Sequence, residues 1–181
     1  KGPEEIQRYL EALFTEIRYC GLRMKETGLW PESIYIGGGT PTTLDEHQLD
    51  ALLTEVKTHM DLSRCKEFTV EAGRPDTITY EKLEVIKKHG VDRISINPQS
   101  MKERTLELIG RSHKPGDIVQ AFQKASWCEI PMVNADVIAG LQEETVEDFK
   151  DTMERLIKLD ATNITVHTLA VKRASRLIEE D

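Results

Sequence analysis

Residues 34–44 read IYIGGGTPTTL. A β-branched and aromatic run too short for a helix stops where three glycines begin, so Ser33–Ile36 reads as a strand that empties into a turn. The same kind of apolar run recurs at Glu67–Val70, Arg93–Ile96, Met132–Ile138 and Asn163–Val166. Between the runs the period changes to a helical one. Asp45 precedes Leu49, Leu52, Leu53 and Val56, Thr79 precedes Leu83 and Ile86, and Phe149, Met153, Leu156 and Ile157 share one face of Val146–Leu159. Ahead of the first strand, Pro3–Thr27 carries Ile6, Leu10, Leu13, Phe14 and Ile17 at helical spacing, with a proline in its first turn. Strand and helix in alternation predict a parallel sheet with right-handed crossovers, since parallel neighbours need a long connection and a helix supplies it. The expected class is α/β with about five parallel strands and flanking helices, arranged as a partial (β/α) barrel or as a doubly wound open sheet, which share this periodicity.

Composition narrows the partners. The chain has 181 residues, 39% hydrophobic and 31% charged, and a formal charge of -8, which suits one domain with a buried core. Lys and Arg are not clustered as phosphate neutralisation requires, so small molecules are expected rather than nucleic acid. No run of about 18 apolar residues is present and the first residues lack a basic-then-apolar leader, so neither a membrane nor secretion is expected and the chain reads as cytoplasmic. Cys20, Cys65 and Cys128 are odd in number and far apart, as reduced thiols are, and the five histidines are equally dispersed. No metal site is expected from these residues, because a four-iron cluster needs several closely spaced thiolates.

In parallel α/β folds chemistry gathers where strands end, because the loops there converge on one open face. Gly37-Gly38-Gly39-Thr40-Pro41 follows the first strand, Glu71-Ala72-Gly73-Arg74-Pro75 the second and Asn97-Pro98-Gln99-Ser100 the third. Asp136–Gly140 closes the fourth and His167 the fifth. The glycines remove every Cβ and tolerate positive φ, so main-chain groups can approach a ligand. The spacing is neither a dinucleotide fingerprint nor a P-loop, and the loop alone serves equally well as a tight turn. Glu71 ends an apolar run, where a carboxylate needs a cation or donors; a ligand ammonium supplies one, and so would Arg74 or Arg93. Gln99 and Asp136 have the chemistry to hold a diol, and Arg111 that to clamp a carboxylate, although a loop arginine also sits comfortably in solvent. Together these groups suit an amino-acid nucleoside.

The runs IYIGGGTPTTL, VEAGRPDTIT, DRISINPQSM, IGRSH, DVIAGLQEET and ITVHTLAVKRAS together resemble the radical S-adenosylmethionine (SAM) proteins of the oxygen-independent coproporphyrinogen III oxidase family, most of all its coproporphyrinogen dehydrogenase subgroup. The resemblance spans nearly the whole chain and implies a radical SAM partial barrel. It implies that Gly38, Gly39 and Thr40 meet the methionyl amino end of SAM, with Glu71 in the same polar shell, and that Arg111 meets the carboxylate. Gln99 and Asp136 would address the ribose, and Ala170 would lie along the adenine. The family stretch D-L-I-x-G-L-P-G-E appears as DVIAGLQEE, which keeps Asp136, Gly140, Leu141 and Glu144 and implies a different loop course at Gln142-Glu143.

The family's C-x-x-x-C-x-x-C loop, which holds a 4Fe-4S cluster, is not among these residues. Residues 1–181 are therefore expected to be a single core fragment without the first strand, the cluster loop and the C-terminal substrate region, inactive by itself and with no catalytic residue of its own. For the intact parent the resemblance implies SAM cleavage to a 5′-deoxyadenosyl radical and oxidative decarboxylation of the propionates of a tetrapyrrole, coproporphyrinogen III, to vinyls. A haem-binding chaperone of the same family is the alternative, and an unrelated (β/α) phosphate-binding enzyme a second one. The bared edge of Ser33–Ile36 is expected to favour an edge-strand dimer.

Overall fold

The structure, a computed structural model, describes residues 2–170. The segment 173–181, whose sequence reads as a further helix, lies outside them. Five strands form one sheet: β1 (Ser33–Ile36), β2 (Glu67–Ala72), β3 (Arg93–Gln99), β4 (Met132–Ala139) and β5 (Asn163–Thr168). All four pairings are parallel and the order is β1-β2-β3-β4-β5. Every crossover therefore steps one place in the same direction. With right-handed crossovers that puts the helices on one face and bends the sheet toward a barrel, whereas a doubly wound sheet must reverse its order.

The helices are α1 (Pro3–Thr27), α2 (Glu46–His59), α3 (Tyr80–Lys88), α4 (Glu103–Leu108), α5 (Pro115–Trp127) and α6 (Val146–Lys158). Side-chain caps set the starts of α2, α3 and α6. Asp45 accepts from Gln48 N at 2.8 Å while Gln48 accepts from Asp45 N at 3.2 Å, and Thr145 with Asp148 builds the same reciprocal box on α6. Thr79 Oγ1 caps α3 through Lys82 N. The apolar stripes of α2, α3, α5 and α6 cover one face of the sheet. There Phe68, Val70, Ala72, Ile94, Ile96, Ala135 and Val137 pack with Leu49, Leu53, Leu83, Ile86, Ile118 and Leu156. Each such aliphatic side chain contributes about 1.5–3 kcal/mol on burial.

The other face of the sheet is polar. Successive side chains of a strand point to opposite faces, and the residues alternating with the core set are Glu67, Thr69 and Glu71 on β2, Arg93, Ser95 and Asn97 on β3, Asn134 and Asp136 on β4 between the apolar Met132 and Ile138, and Asn163, Thr165 and His167 on β5. Parallel strands covered by helices on both faces are apolar throughout. Here the inner face carries hydrogen-bonding side chains, and it is the surface on which a polar ligand can lie. At its lower end Arg93 Nη1 meets Glu67 Oε1 at 3.1 Å and Thr69 Oγ1 donates to the same oxygen at 2.9 Å.

Candidate ligand site at the strand exits

Glu71 leaves β2 facing inward, and its carboxylate collects donors rather than cations. Gly38 N donates to Oε2 at 3.3 Å and Asn97 Nδ2 to Oε1 at 3.1 Å. The two arginines that a structural ion pair would use are committed elsewhere. Arg74 pairs with Asp76 at 2.8 Å, and Arg93 with Glu67. Among the described residues Glu71 thus has no cationic partner, and its charge remains available to a ligand.

The glycines explain the loop above it. Gly38 and Gly39 have φ of 86° and 121°, a region that side chains other than glycine rarely enter, and no atom lies within 4 Å of where a Cβ would stand on either. Their backbone therefore borders open space. Gly37 and Gly73 are required for another reason. A Cβ on Gly37 would run into the Tyr35 ring and approach Glu71 Oε2 at 2.8 Å, and one on Gly73 would sit 3.0 Å from Asn97 Nδ2. The floor of the Glu71 pole is built without side chains. Thr40 begins the short 3₁₀ turn Pro41–Thr43, its carbonyl accepting from Thr43 N at 2.9 Å. With Gly37 and Gly38 it lines a cleft of about 320 Å³ against Ile6, Tyr9 and Leu10 of α1.

Asp136, on β4, forms the second pole. Asn134 Nδ2 donates to Oδ1 at 2.7 Å and Ser95 Oγ to Oδ2 at 3.4 Å, and His167 Nε2 stands 4.0 Å from Oδ1. Tyr35, on β1, feels both poles: desolvation, then the charges of Glu71 and Asp136, raise its phenol pKa, against an opposing pull from Arg93.

Gln99 ends β3 through a local irregularity. Pro98 has no N–H to give the ladder, the pairing with β4 shifts register between Ile96 and Gln99, and Gln99 takes φ 67°. Its side chain is buried, and Oε1 has no hydrogen-bond partner, a condition shared by Asn97 Oδ1 and Glu144 Oε2. Unsatisfied buried acceptors and a strained backbone gather where a binding site stores its geometry. Arg111 follows α4, whose last turn closes on Gly110 at φ 70° with Arg111 N on Leu106 O. Its loop is tied to the rim on both sides: Arg74 Nη2 donates to Ser112 Oγ at 3.1 Å, and buried His113 reaches Pro98 O through Nε2 at 3.3 Å. Burial lowers the His113 pKa, against the opposing effect of the hydrogen bond to Pro98 O. Among the described residues no hydrogen bond or ion pair joins the Arg111 guanidinium to another side chain, so the structure sets it on the same rim without bringing it into contact with Glu71 or Asp136. Ala170 is exposed just beyond β5, after Leu169 N has paired with Ala139 O at 3.0 Å.

At the substituted family turn, Gly140 has φ 85° and Glu143 φ 58°, so a glutamate adopts a left-handed conformation where the family pattern has glycine. Sequence reasoning missed Ser95, Asn134, Thr165 and Tyr35, and it gave Asn97 no role beyond its place at a strand exit. For Ser95, Asn97, Asn134 and Thr165 the signal was the period-2 alternation of polar residues within RISIN, MVNAD and NITVHT, which parallel strands with two covered faces do not show.

The residues fit SAM. Open backbone stands beside Gly38 and Gly39, Glu71 is a carboxylate with no Lys or Arg partner among the described residues, and Asp136 is a second carboxylate with its donors already arranged, the kinds of group an ammonium and a diol require. They do not fit a cluster. Cys20 is exposed on α1, Cys65 is half-buried before β2 and Cys128 is buried after α5; among the described residues no three His, Cys, Asp or Glu side chains are grouped to hold a metal. No helix in the described residues is long and apolar enough to cross a membrane.

Residues 4–156 match the Radical SAM superfamily. The chain is 41% identical over 173 residues to the oxygen-independent coproporphyrinogen-III oxidase-like protein HemZ of Bacillus subtilis, covering 95% of this chain and 34% of that protein. It is 34% identical to the heme chaperone HemW of the same organism, covering 93% of this chain and 44% of HemW. Among solved structures it superimposes on the coproporphyrinogen III oxidase HemN of Escherichia coli, described as a radical SAM enzyme, with a TM-score of 0.81 and 25% identity over 92% of this chain and 38% of that one. The chain thus spans less than half the length of each of these relatives. It belongs to the radical SAM superfamily, within the oxygen-independent coproporphyrinogen III oxidase family.

Proposed function

We propose that this chain is the SAM-binding core of a porphyrin-pathway radical SAM enzyme whose full-length form oxidatively decarboxylates the propionates of coproporphyrinogen III to vinyls. The observation that carries the reading is the pair of inward carboxylates, Glu71 and Asp136, held by neutral donors on the face that the helices leave uncovered, with no Lys or Arg paired to either among the described residues. Glu71, with the backbone at Gly38 and Gly39 and the Thr40 hydroxyl, takes the methionyl ammonium. Arg111 takes the carboxylate, Gln99 and Asp136 take the ribose hydroxyls, and Ala170 lies along the adenine. The cluster's thiolates come from parts of the full-length protein outside these residues. SAM with a reduced 4Fe-4S cluster supplies the radical hydrogen abstraction. The residues in hand bind, orient and shield it, and orientation alone is worth orders of magnitude in rate.

A second reading is favoured by the identity with HemW: the same core in a haem-binding chaperone. Anaerobic incubation of the full-length, cluster-loaded protein with SAM and coproporphyrinogen III separates the two. The enzyme reading expects 5′-deoxyadenosine together with vinyl product and carbon dioxide. Tight haem binding with no vinyl product would establish the chaperone reading instead, and an absence of SAM binding would contradict both.

A further inference from the structure

Asn134 is buried at 2% exposure in the middle of the polar face and uses its whole hydrogen-bonding capacity. Its amide nitrogen donates to Asp136 Oδ1 at 2.7 Å and to Ser95 Oγ at 2.8 Å. Its amide oxygen accepts from Asn163 Nδ2 and from Thr165 Oγ1, both at 2.9 Å. The directions are mutually determined. The Asp136 carboxylate only accepts, which turns the amide nitrogen of Asn134 toward it; Ser95, accepting from that nitrogen, has its single proton free for Asp136 Oδ2, and Asn163 and Thr165 then donate to the amide oxygen. Both oxygens of Asp136 thus receive a donor, and the side chain keeps 19% of its surface exposed.

We propose that Asn134 is the positioning residue for the ribose pole. Acting through Asp136 and supported by Ser95, Asn163 and Thr165, it holds the carboxylate in the one orientation that accepts both hydroxyls of a vicinal diol. This rests on the assignment of Asp136 to the nucleoside ribose and adds what sets its selectivity. One network spans β3, β4 and β5, so the diol acceptor is tied to the pairing of the last strand. Without Asn134 the carboxylate keeps its charge but loses its fixed plane, and a carboxylate free to rotate takes one hydroxyl nearly as well as two.

The test compares SAM with its 2′-deoxy analogue by calorimetric titration of the full-length, cluster-loaded protein. Wild type is expected to prefer SAM by about tenfold or more, the size of one hydrogen bond to a charged acceptor. In Asn134→Ala the preference is expected to collapse toward unity, and Ser95→Ala, which removes one smaller donor and leaves the hub, is expected to reduce it in part. A variant in which both ligands weaken by the same factor and the ratio survives shows a purely structural role and overturns the proposal. So does an unchanged ratio in Ser95→Ala if Asn134→Ala does not fold. Wild type that binds SAM without preferring it to the 2′-deoxy analogue overturns the assignment of Asp136 instead, and the two failures are thereby told apart.

Discussion

Asp136→Ala is expected to lower the affinity of the full-length protein for SAM by about 10- to 100-fold, because a hydrogen bond to an ionised acceptor is worth about 1.5–3 kcal/mol. The loss is expected to exceed that of the missing contact. Asn134 Nδ2 and Ser95 Oγ would point at a cavity, and a buried donor without a partner has its own cost. Asp136→Asn keeps the volume and serves as the control for packing. The amide can turn its oxygen to Asn134 Nδ2 and its nitrogen to Ser95 Oγ, which accepts as well as donates, but one of the two acceptors offered to the diol becomes a donor and most of the affinity is again lost. Calorimetric titration reads both variants. Affinities equal to wild type would remove Asp136 from the site.

Gly21→Leu is expected to be the most destabilising substitution on the helical side. A Cβ on Gly21 overlaps the carbonyl oxygen of His59 and lies 2.8 Å from its carbonyl carbon, so the obstacle is the backbone at the end of α2 and no flexible side chain can yield. Helix propensity favours leucine over glycine by about 1 kcal/mol. Overpacking against fixed backbone costs about 1–3 kcal/mol or more, and here the longer side chain also forces α1 off α2, so the clash wins. Gly116→Ala, at a helical position with nothing within 4 Å, is the matched control and is expected to be neutral or mildly stabilising. Thermal unfolding should show Gly21→Leu melting several degrees below wild type and Gly116→Ala at or above it. A Gly21→Leu variant as stable as wild type would show that α1 does not pack against α2 at this point.

Much of the framework is readable without coordinates because its signals are local. Asp45 and Thr79 stand where helices α2 and α3 are capped, and the β1 bounds follow from the glycines that end the run. The helix α5 is less visible: its buried positions, Ile118, Ala121, Phe122 and Ala125, are half alanine, so the apolar stripe has little contrast with the exposed face. Barrel and open sheet share one periodicity, and only the spatial order of the strands separates them. Strands β2, β3 and β5 all run past their apolar cores, because residues that extend them, such as Glu71, Asn97, Gln99 and His167, are polar and read as strand exits or loop.

The site divides the same way. Strand-exit residues announce themselves by position, so Gly38, Gly39, Thr40, Glu71, Gln99 and Asp136 can be named from the sequence. Whether Glu71 is spent on Arg74 or Arg93 depends on geometry that no spacing encodes: Asp76 lies two residues from Arg74, while Glu67 meets Arg93 only across the strand pair. Asn134 stays invisible for a different reason. A polar residue inside a strand reads as ordinary alternation until the sheet is known to be parallel and one face is found uncovered.

The account stands on Glu71 and Asp136 gripping opposite ends of one nucleoside on the inner face of the sheet. A crystal structure of the full-length, cluster-loaded protein with SAM tests it most directly. It should show the ammonium on Glu71 beside Gly38 and the two ribose hydroxyls on Asp136. SAM lodged instead in the cleft between α1 and the glycine loop, with both carboxylates untouched, would contradict it.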